Sequence, residues 1–133
     1  MHSATKVLMG MTRSSFRKAD PRKGSIEAGK IVRLKSDGTI SLAAADGLPL
    51  GISLGKDLSN IGYTSIVRAG LEVPILLTAS FTPVIGAQVH ISDTTGMAGT
   101  AGAGFTGMNA VYKSGALTAI KEDGTEVASA VAL

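Results

Sequence analysis

The chain has 133 residues, a length typical of one domain that can bury its own core. Hydrophobic residues make up 44% of it, but 18 of them are alanine and only five are aromatic. This supply of large apolar side chains is modest and favours an oligomer or a protein stabilised by docking. The absence of cysteine excludes disulfide frameworks, zinc knuckles and thiol nucleophiles, and the short apolar runs exclude a bilayer-spanning helix.

Positive charge is concentrated at the start of the chain. The formal net charge is +3, but residues 1–35 carry nine Lys/Arg against two acidic residues. The remaining 98 residues carry four basic and eight acidic groups. A basic start followed by a mildly acidic body implies an anionic partner, either nucleic acid or an acidic protein surface.

Residues 1–25 are predicted to form a flexible basic N-terminal arm. The apolar run at 7–11 is too short for a secretory signal, which indicates an intracellular origin. The stretch 12–25 has no helical or strand period, and its Pro and Gly interrupt regular structure. Two interpretations stay open, a solvated leader and an arm that becomes ordered on a partner, with phosphate binding as a third. In the second, the contact residues are Arg13, Phe16, Arg17, Lys18, Arg22 and Lys23.

Residues 26–133 predict a single β-domain, because short alternating runs are separated by turn signals every 8–12 residues. The run 30–35 alternates, and Asp37-Gly38 predicts a hairpin turn into a strand at 39–42. No segment carries a helical period over ten residues, which favours an all-β fold, a small β-barrel or β-sandwich. Further strands are predicted at 50–54, 87–92, 107–112, 116–121 and 126–131.

The segments 63–68 and 71–77 predict another hairpin, with its turn at Ala69-Gly70. Pro74 lies within the second of these strands and has no backbone N–H to donate to a ladder. That strand is therefore expected at a sheet edge or at a bulge.

An internal repeat is visible in the glycine spacing. The pattern G-x-x-V-x-L that begins at Gly29 recurs as G-x-x-V-x-I at Gly86. Each pattern reaches a further glycine, Gly51 after 22 residues and Gly107 after 21. A chance match of small residues is the alternative; a genuine repeat implies two similar β-units that shelter each other's edges.

Residues that could carry chemistry are sparse. Of the two histidines, His2 is at the chain start, and His90 alternates with Val89 and Ile91 and is expected on the opposite face. The Gly/Ala-rich stretch 95–107 fits neither phosphate-binding pattern and predicts a flexible loop, either an ordinary surface loop or one that contacts a neighbouring subunit. We therefore expect no enzyme, no cofactor and no metal site.

Short Gly- and Val-containing β-runs recur along the body of the chain, at Glu27–Leu34, Ser36–Ile40, Leu48–Ile52, Ile66–Pro74 and Gly86–Ile91. On these residues the body of the chain resembles the small head-decoration, or capsid cement, proteins of tailed bacteriophages. The resemblance implies a virion protein, made in the host cytoplasm, that binds the major capsid protein on the capsid exterior and clamps neighbouring subunits, often as a homo-oligomer (trimer). It implies no membrane partner. The alternatives are a tail or head–tail connector component and a small β-barrel that binds nucleic acid. Nucleic acid is the less favoured, because stacking aromatics are lacking.

Overall fold

The computed structural model describes residues 13–17, 26–56, 62–115 and 126–133. These residues form β-strands and no helix, which confirms the all-β fold. The strands are β1 (Arg13–Arg17), β2 (Ile31–Leu34), β3 (Ile40–Leu42), β4 (Gly51–Lys56), β5 (Tyr63–Val67), β6 (Glu72–Leu77), β7 (Gln88–His90), β8 (Gly107–Tyr112) and β9 (Glu126–Ala132).

The strands form two antiparallel sheets that pack as a sandwich and do not close into a barrel. Sheet A has the order β1-β5-β4-β2-β3, and sheet B has the order β6-β9-β8-β7. The main core lies between them and contains buried residues of both, such as Ile52 from β4 and Ile75 from β6. Alternation along β9 sends Ala128 and Ala130 into this core and leaves Val131 half-buried on the outer face.

A second core cluster lies on the other face of sheet A. Val32 and Ile66 belong to it, whereas their chain neighbours Ile31 and Val67 belong to the main core. Since successive residues of a strand point to opposite faces, the middle of sheet A is buried on both faces. Its apolar residues therefore read as a nearly continuous run rather than as a clean alternation.

The internal repeat is confirmed by the topology. We call β1–β5 unit 1 and β6–β9 unit 2. In unit 1 the first strand, β1, pairs with the last strand, β5. β5 also pairs with β4, and β4 also pairs with β2. In unit 2 the first strand, β6, likewise pairs with the last strand, β9. β9 also pairs with β8, and β8 also pairs with β7. The two units thus have the same strand order, with β3 as an addition in unit 1.

The repeat extends to individual hydrogen bonds. The N–H of Gly29 donates to the carbonyl of Ser53 at 2.8 Å, and the N–H of Gly86 donates to that of Tyr112 at 2.8 Å. Both glycines have positive φ, +89° and +85°, which a residue with a Cβ rarely adopts. The repeated glycines in the sequence, Gly29 and Gly86, therefore make the same tight turn before β2 and before β7.

The predicted hairpin over 63–77 is wrong, because β5 and β6 belong to different sheets. The Ala69-Gly70 segment carries the chain from sheet A to sheet B, and the N–H of Gly70 donates to the carbonyl of Ala132. β6 pairs with β9 instead. The prediction that Pro74 lies in an edge strand is confirmed.

The hairpin between β2 and β3 forms at the predicted turn. The N–H of Lys35 donates to the carbonyl of Thr39 at 2.7 Å, and Gly38 has a φ of +84°. The Asp37 carboxylate accepts the Thr39 N–H at 3.0 Å and the Thr39 hydroxyl at 2.6 Å. These two bonds hold the turn closed.

The Gly/Ala-rich loop differs from the expectation in its first part. Residues 96–99 are buried, whereas residues 100–104 are exposed. Ala98 forms single-residue bridges to Leu77 and Ile91. A Cβ on Gly99 would lie 2.7 Å from the Cβ of Ser92, so the small residues allow close packing here rather than flexibility. The strand predicted at 116–121 lies outside the described residues.

Candidate protein-contact surfaces

Three of the six predicted contact residues lie on one edge strand. Arg13, Phe16 and Arg17 belong to β1, at the end of sheet A. The expectation that 12–25 holds no regular element is wrong for these five residues. β1 forms because β5 supplies a ladder to pair with, which its own sequence pattern does not indicate. Lys18, Arg22 and Lys23 lie outside the described residues.

The register of β1 gives Phe16 a structural position. Phe16 pairs with Thr64 in sheet A, as Ile75 pairs with Ala128 in sheet B. The two pairs occupy equivalent places in the repeat. The register therefore places the backbone of Phe16 opposite Thr64, and the contact of Phe16 with a partner stays a prediction.

Buried hydrogen bonds fix Ile26 to sheet A. The Ile26 N–H donates to Thr64 Oγ1 at 3.1 Å, and Ser53 Oγ donates to the Ile26 carbonyl at 2.9 Å. The Gly55 N–H donates to Ser53 Oγ at 2.9 Å. Buried bonds of this kind are costly to leave unmade. The basic segment 18–25 therefore lies between two points held by sheet A, β1 and Ile26.

A first exposed apolar tip lies in the loop between β3 and β4. Leu48 is 85% exposed. The loop that carries it is tied to the Gly/Ala-rich loop, because the Gly96 N–H donates to the Ala43 carbonyl at 2.9 Å and the Thr106 N–H donates to the Ala45 carbonyl at 2.7 Å. A large apolar side chain on a fixed loop is a suitable anchor for a partner.

A second apolar tip precedes β7. Val84 is 69% exposed and Ile85 is 67% exposed, while the adjacent Pro83 is buried. The Ala87 N–H donates to the Val84 carbonyl at 3.0 Å and closes the turn. Sequence reasoning missed both tips as contact sites. The sequence signal that could have indicated these tips is a large apolar residue next to Pro or Gly, in a segment not predicted to be a strand.

The titratable side chains do not converge. His90 lies between the buried Val89 and Ile91, and its Nδ1 is 3.2 Å from the Gln88 carbonyl, on the outer face of sheet B as predicted. Within residues 26–56, 62–115 and 126–133, no three acidic or histidine side chains are close enough together to hold a metal ion. No helix long and apolar enough to cross a membrane occurs in the described part of the chain.

Among the residues that the structure describes, two groups have perturbed pKa values, and both shifts have structural causes. The hydrogen bonds from Thr39 lower the pKa of the exposed Asp37 carboxyl below its usual value. Burial raises the pKa of the Tyr112 hydroxyl to about 12. Tyr112 packs against Phe81 with ring centroids 6.1 Å apart, inside the main core.

No protein-family model matches this chain, and no curated protein shows significant sequence similarity to it.

Proposed function

We propose that this chain is a structural virion protein that binds the outside of an assembled phage capsid and stabilises it by clamping neighbouring capsid subunits. The sequence resemblance supports this proposal, and the observation that carries it is the pair of fixed apolar tips. Leu48 and Val84–Ile85 stand out from loops held by backbone hydrogen bonds. Exposed apolar groups on rigid loops are typical of protein contact sites.

A sandwich with two separate tips can touch two neighbouring surfaces. Simultaneous contacts by one molecule strengthen each other, because the second contact forms at a high effective concentration. Attachment as a trimer multiplies the contacts further. Basic residues of segment 13–25 add attraction to acidic patches on the major capsid protein.

The test is co-sedimentation with mature capsids of the phage that carries the sequence, prepared without the protein. We expect saturable binding at many copies per particle and greater resistance of the shell to heat. Binding limited to one ring per particle would indicate a connector instead. No binding to shells, together with salt-sensitive binding to free DNA or RNA, would indicate a nucleic-acid-binding protein.

The tips are tested by substituting Leu48→Ser and, separately, Val84→Ser with Ile85→Ser. We expect each to lower the affinity for shells at least tenfold, as loss of an apolar anchor does. The matched control is Leu34→Ser, which removes an apolar side chain that is 49% exposed on β2. Equal losses in all three variants would contradict the assignment of the tips.

The basic segment needs substitution rather than deletion. Removing residues 1–25 would also remove β1 from sheet A. Lys18→Gln, Arg22→Gln and Lys23→Gln together change the charge and leave β1 in place. We expect weaker attachment and faster dissociation at high salt, because the contact is electrostatic. Unchanged attachment would remove the segment from the contact.

A further inference from the structure

The hydrogen bonds of β4 determine which backbone groups of β5 point toward β1. Ser53 exchanges bonds with Gly29 and Lys30, on the β2 side, at 2.8 Å. Alternate residues of a strand bond to opposite neighbours, so Ile52 bonds toward β5, where it pairs with Val67. Val67 therefore bonds to β4, and the residue before it in β5, Ile66, bonds to β1.

The same alternation divides the residues of β1 into those whose backbone groups bond to β5 and those whose backbone groups point away from β5. Ser14 pairs with Ile66 and Phe16 pairs with Thr64, and both pairs form the ladder between β1 and β5. The other residues of β1 direct their backbone N–H and carbonyl groups to the outer edge. None of the strands described here pairs with that edge. The outward residues are Arg13, Ser15 and Arg17.

The equivalent edge of sheet B is closed. Ser15 has the register position in unit 1 that Pro74 has in unit 2. Pro74 has no N–H to offer a further strand, and the Leu76 N–H already donates to the Gly29 carbonyl at 3.0 Å. At equivalent positions of the two edge strands, Pro74 of β6 therefore lacks an N–H and Ser15 of β1 has one.

The charge of β1 and its neighbours in the chain decides which strand could pair with the outer edge of β1. Residues 13–25 contain five basic residues and one acidic residue. Antiparallel pairing of β1 with β1 of a second copy would bring Arg13 opposite Arg17, and like charges directly opposite each other are destabilising. An acidic strand would instead meet an arginine on each side of Ser15.

We propose that β1 binds an extended acidic segment of a partner protein as an added strand of sheet A. Backbone hydrogen bonds from Ser15 and its neighbours give the affinity, and the alternating arginines select acidic side chains. The proposal deepens the proposed function, on which it rests for the source of the segment. It assigns to β1 a contact separate from the apolar tips.

The test uses the full chain and a labelled seven-residue peptide in which valine and glutamate alternate. Binding is measured by fluorescence anisotropy, beside a peptide with lysine in place of glutamate. We expect the glutamate peptide alone to bind. Ser15→Pro should weaken binding at least tenfold, whereas Ser15→Ala, which keeps the N–H, should bind like the native chain. Thermal melting should show both variants folded, because position 15 donates nothing to the β1–β5 ladder.

A glutamate peptide with N-methyl groups on its β1-facing amides supplies a second measurement that needs no protein variant. It should fail to bind. Three results would overturn the proposal: no binding of the glutamate peptide, equal binding of the lysine peptide, or equal binding of the N-methylated peptide. The shell experiment is independent of this result, so the loss of either contact identifies which proposal has failed.

Discussion

Tyr112 is a core residue whose hydroxyl is not satisfied by the residues that the structure describes. The side chain is fully buried, and its oxygen finds no hydrogen-bond partner among them. An unsatisfied buried hydroxyl costs about 1–3 kcal/mol, which the aromatic ring offsets by filling the core. The contribution of Tyr112 to the core therefore comes from its ring.

Replacement of Tyr112 by phenylalanine should leave the free energy of unfolding unchanged or raise it by about 1 kcal/mol. Denaturant unfolding measures this change. Tyr112→Ala is the contrasting variant, with an expected loss of roughly 3–5 kcal/mol. A clear loss of stability in Tyr112→Phe would show that the hydroxyl has a partner after all.

The same residue predicts a loss of stability in alkali. The folded-state pKa of Tyr112 is raised to about 12, above the unfolded value near 10. Its contribution is fully present below pH 10 and is lost as the pH rises toward 12, because only the unfolded chain ionises readily. Melting temperatures between pH 9 and 12 should fall more steeply for the native chain than for Tyr112→Phe.

Asp37 predicts the opposite pH dependence at the β2–β3 turn. Its pKa is lowered by the Thr39 hydrogen bonds, so its contribution is present above the unfolded value and is lost as the pH falls through the folded value. Asp37→Asn should cost a little stability at pH 7, and the difference from the native chain should vanish at strongly acid pH. A difference that persists there would assign the effect to the turn backbone rather than to the charge.

At the scale of the strand, the two glycines that open β4 and β8 have different reasons to be glycine. A Cβ on Gly51 would collide with the Val67 carbonyl and would lie 2.8 Å from Ile66 Cγ2. A Cβ on Gly107 would lie 2.7 Å from the end of the Gln88 side chain, which can rotate away. The two positions therefore share a residue type and not an environment.

We expect Gly51→Ala to destabilise the protein by roughly 1–3 kcal/mol, because the neighbouring backbone cannot yield without strain. Gly107→Ala is the matched control and should cost well under that amount. Urea unfolding of the two variants compares them directly. Equal losses would contradict the difference in the space beside the two glycines.

What the sequence predicts well at this scale is local. The Asp37-Gly38 turn and the edge position of Pro74 follow from the chemistry of single residues, and the structure confirms both. Whether Ala69-Gly70 forms a hairpin turn or a connection between sheets depends on the strand with which β6 pairs. That strand is β9, about 55 residues further along the chain. β1 likewise forms only because it pairs with β5, which is distant in the sequence. The apolar tips could not be recognised because the exposure of Leu48 depends on what the whole fold leaves uncovered.

At the scale of the molecule, the two units share one core. The main cluster draws Ile31, Ile52 and Val67 from unit 1 and packs them against Val73 and Ile75 of unit 2. Each unit alone would expose that apolar face to water, at a cost of about 25 cal/mol for every square ångström uncovered. Similar strand order therefore does not make the units independent.

This predicts that fragments 1–69 and 70–133 are each unfolded and regain structure when mixed. Far-ultraviolet circular dichroism and amide NMR spectra of the separate and mixed fragments measure the outcome. The control is a mixture in which the first fragment carries Ile52→Ser, which places a hydroxyl in the shared core and should prevent recovery. A fragment that folds cooperatively on its own would show instead that the second cluster, with Val32 and Ile66, is a sufficient core for unit 1.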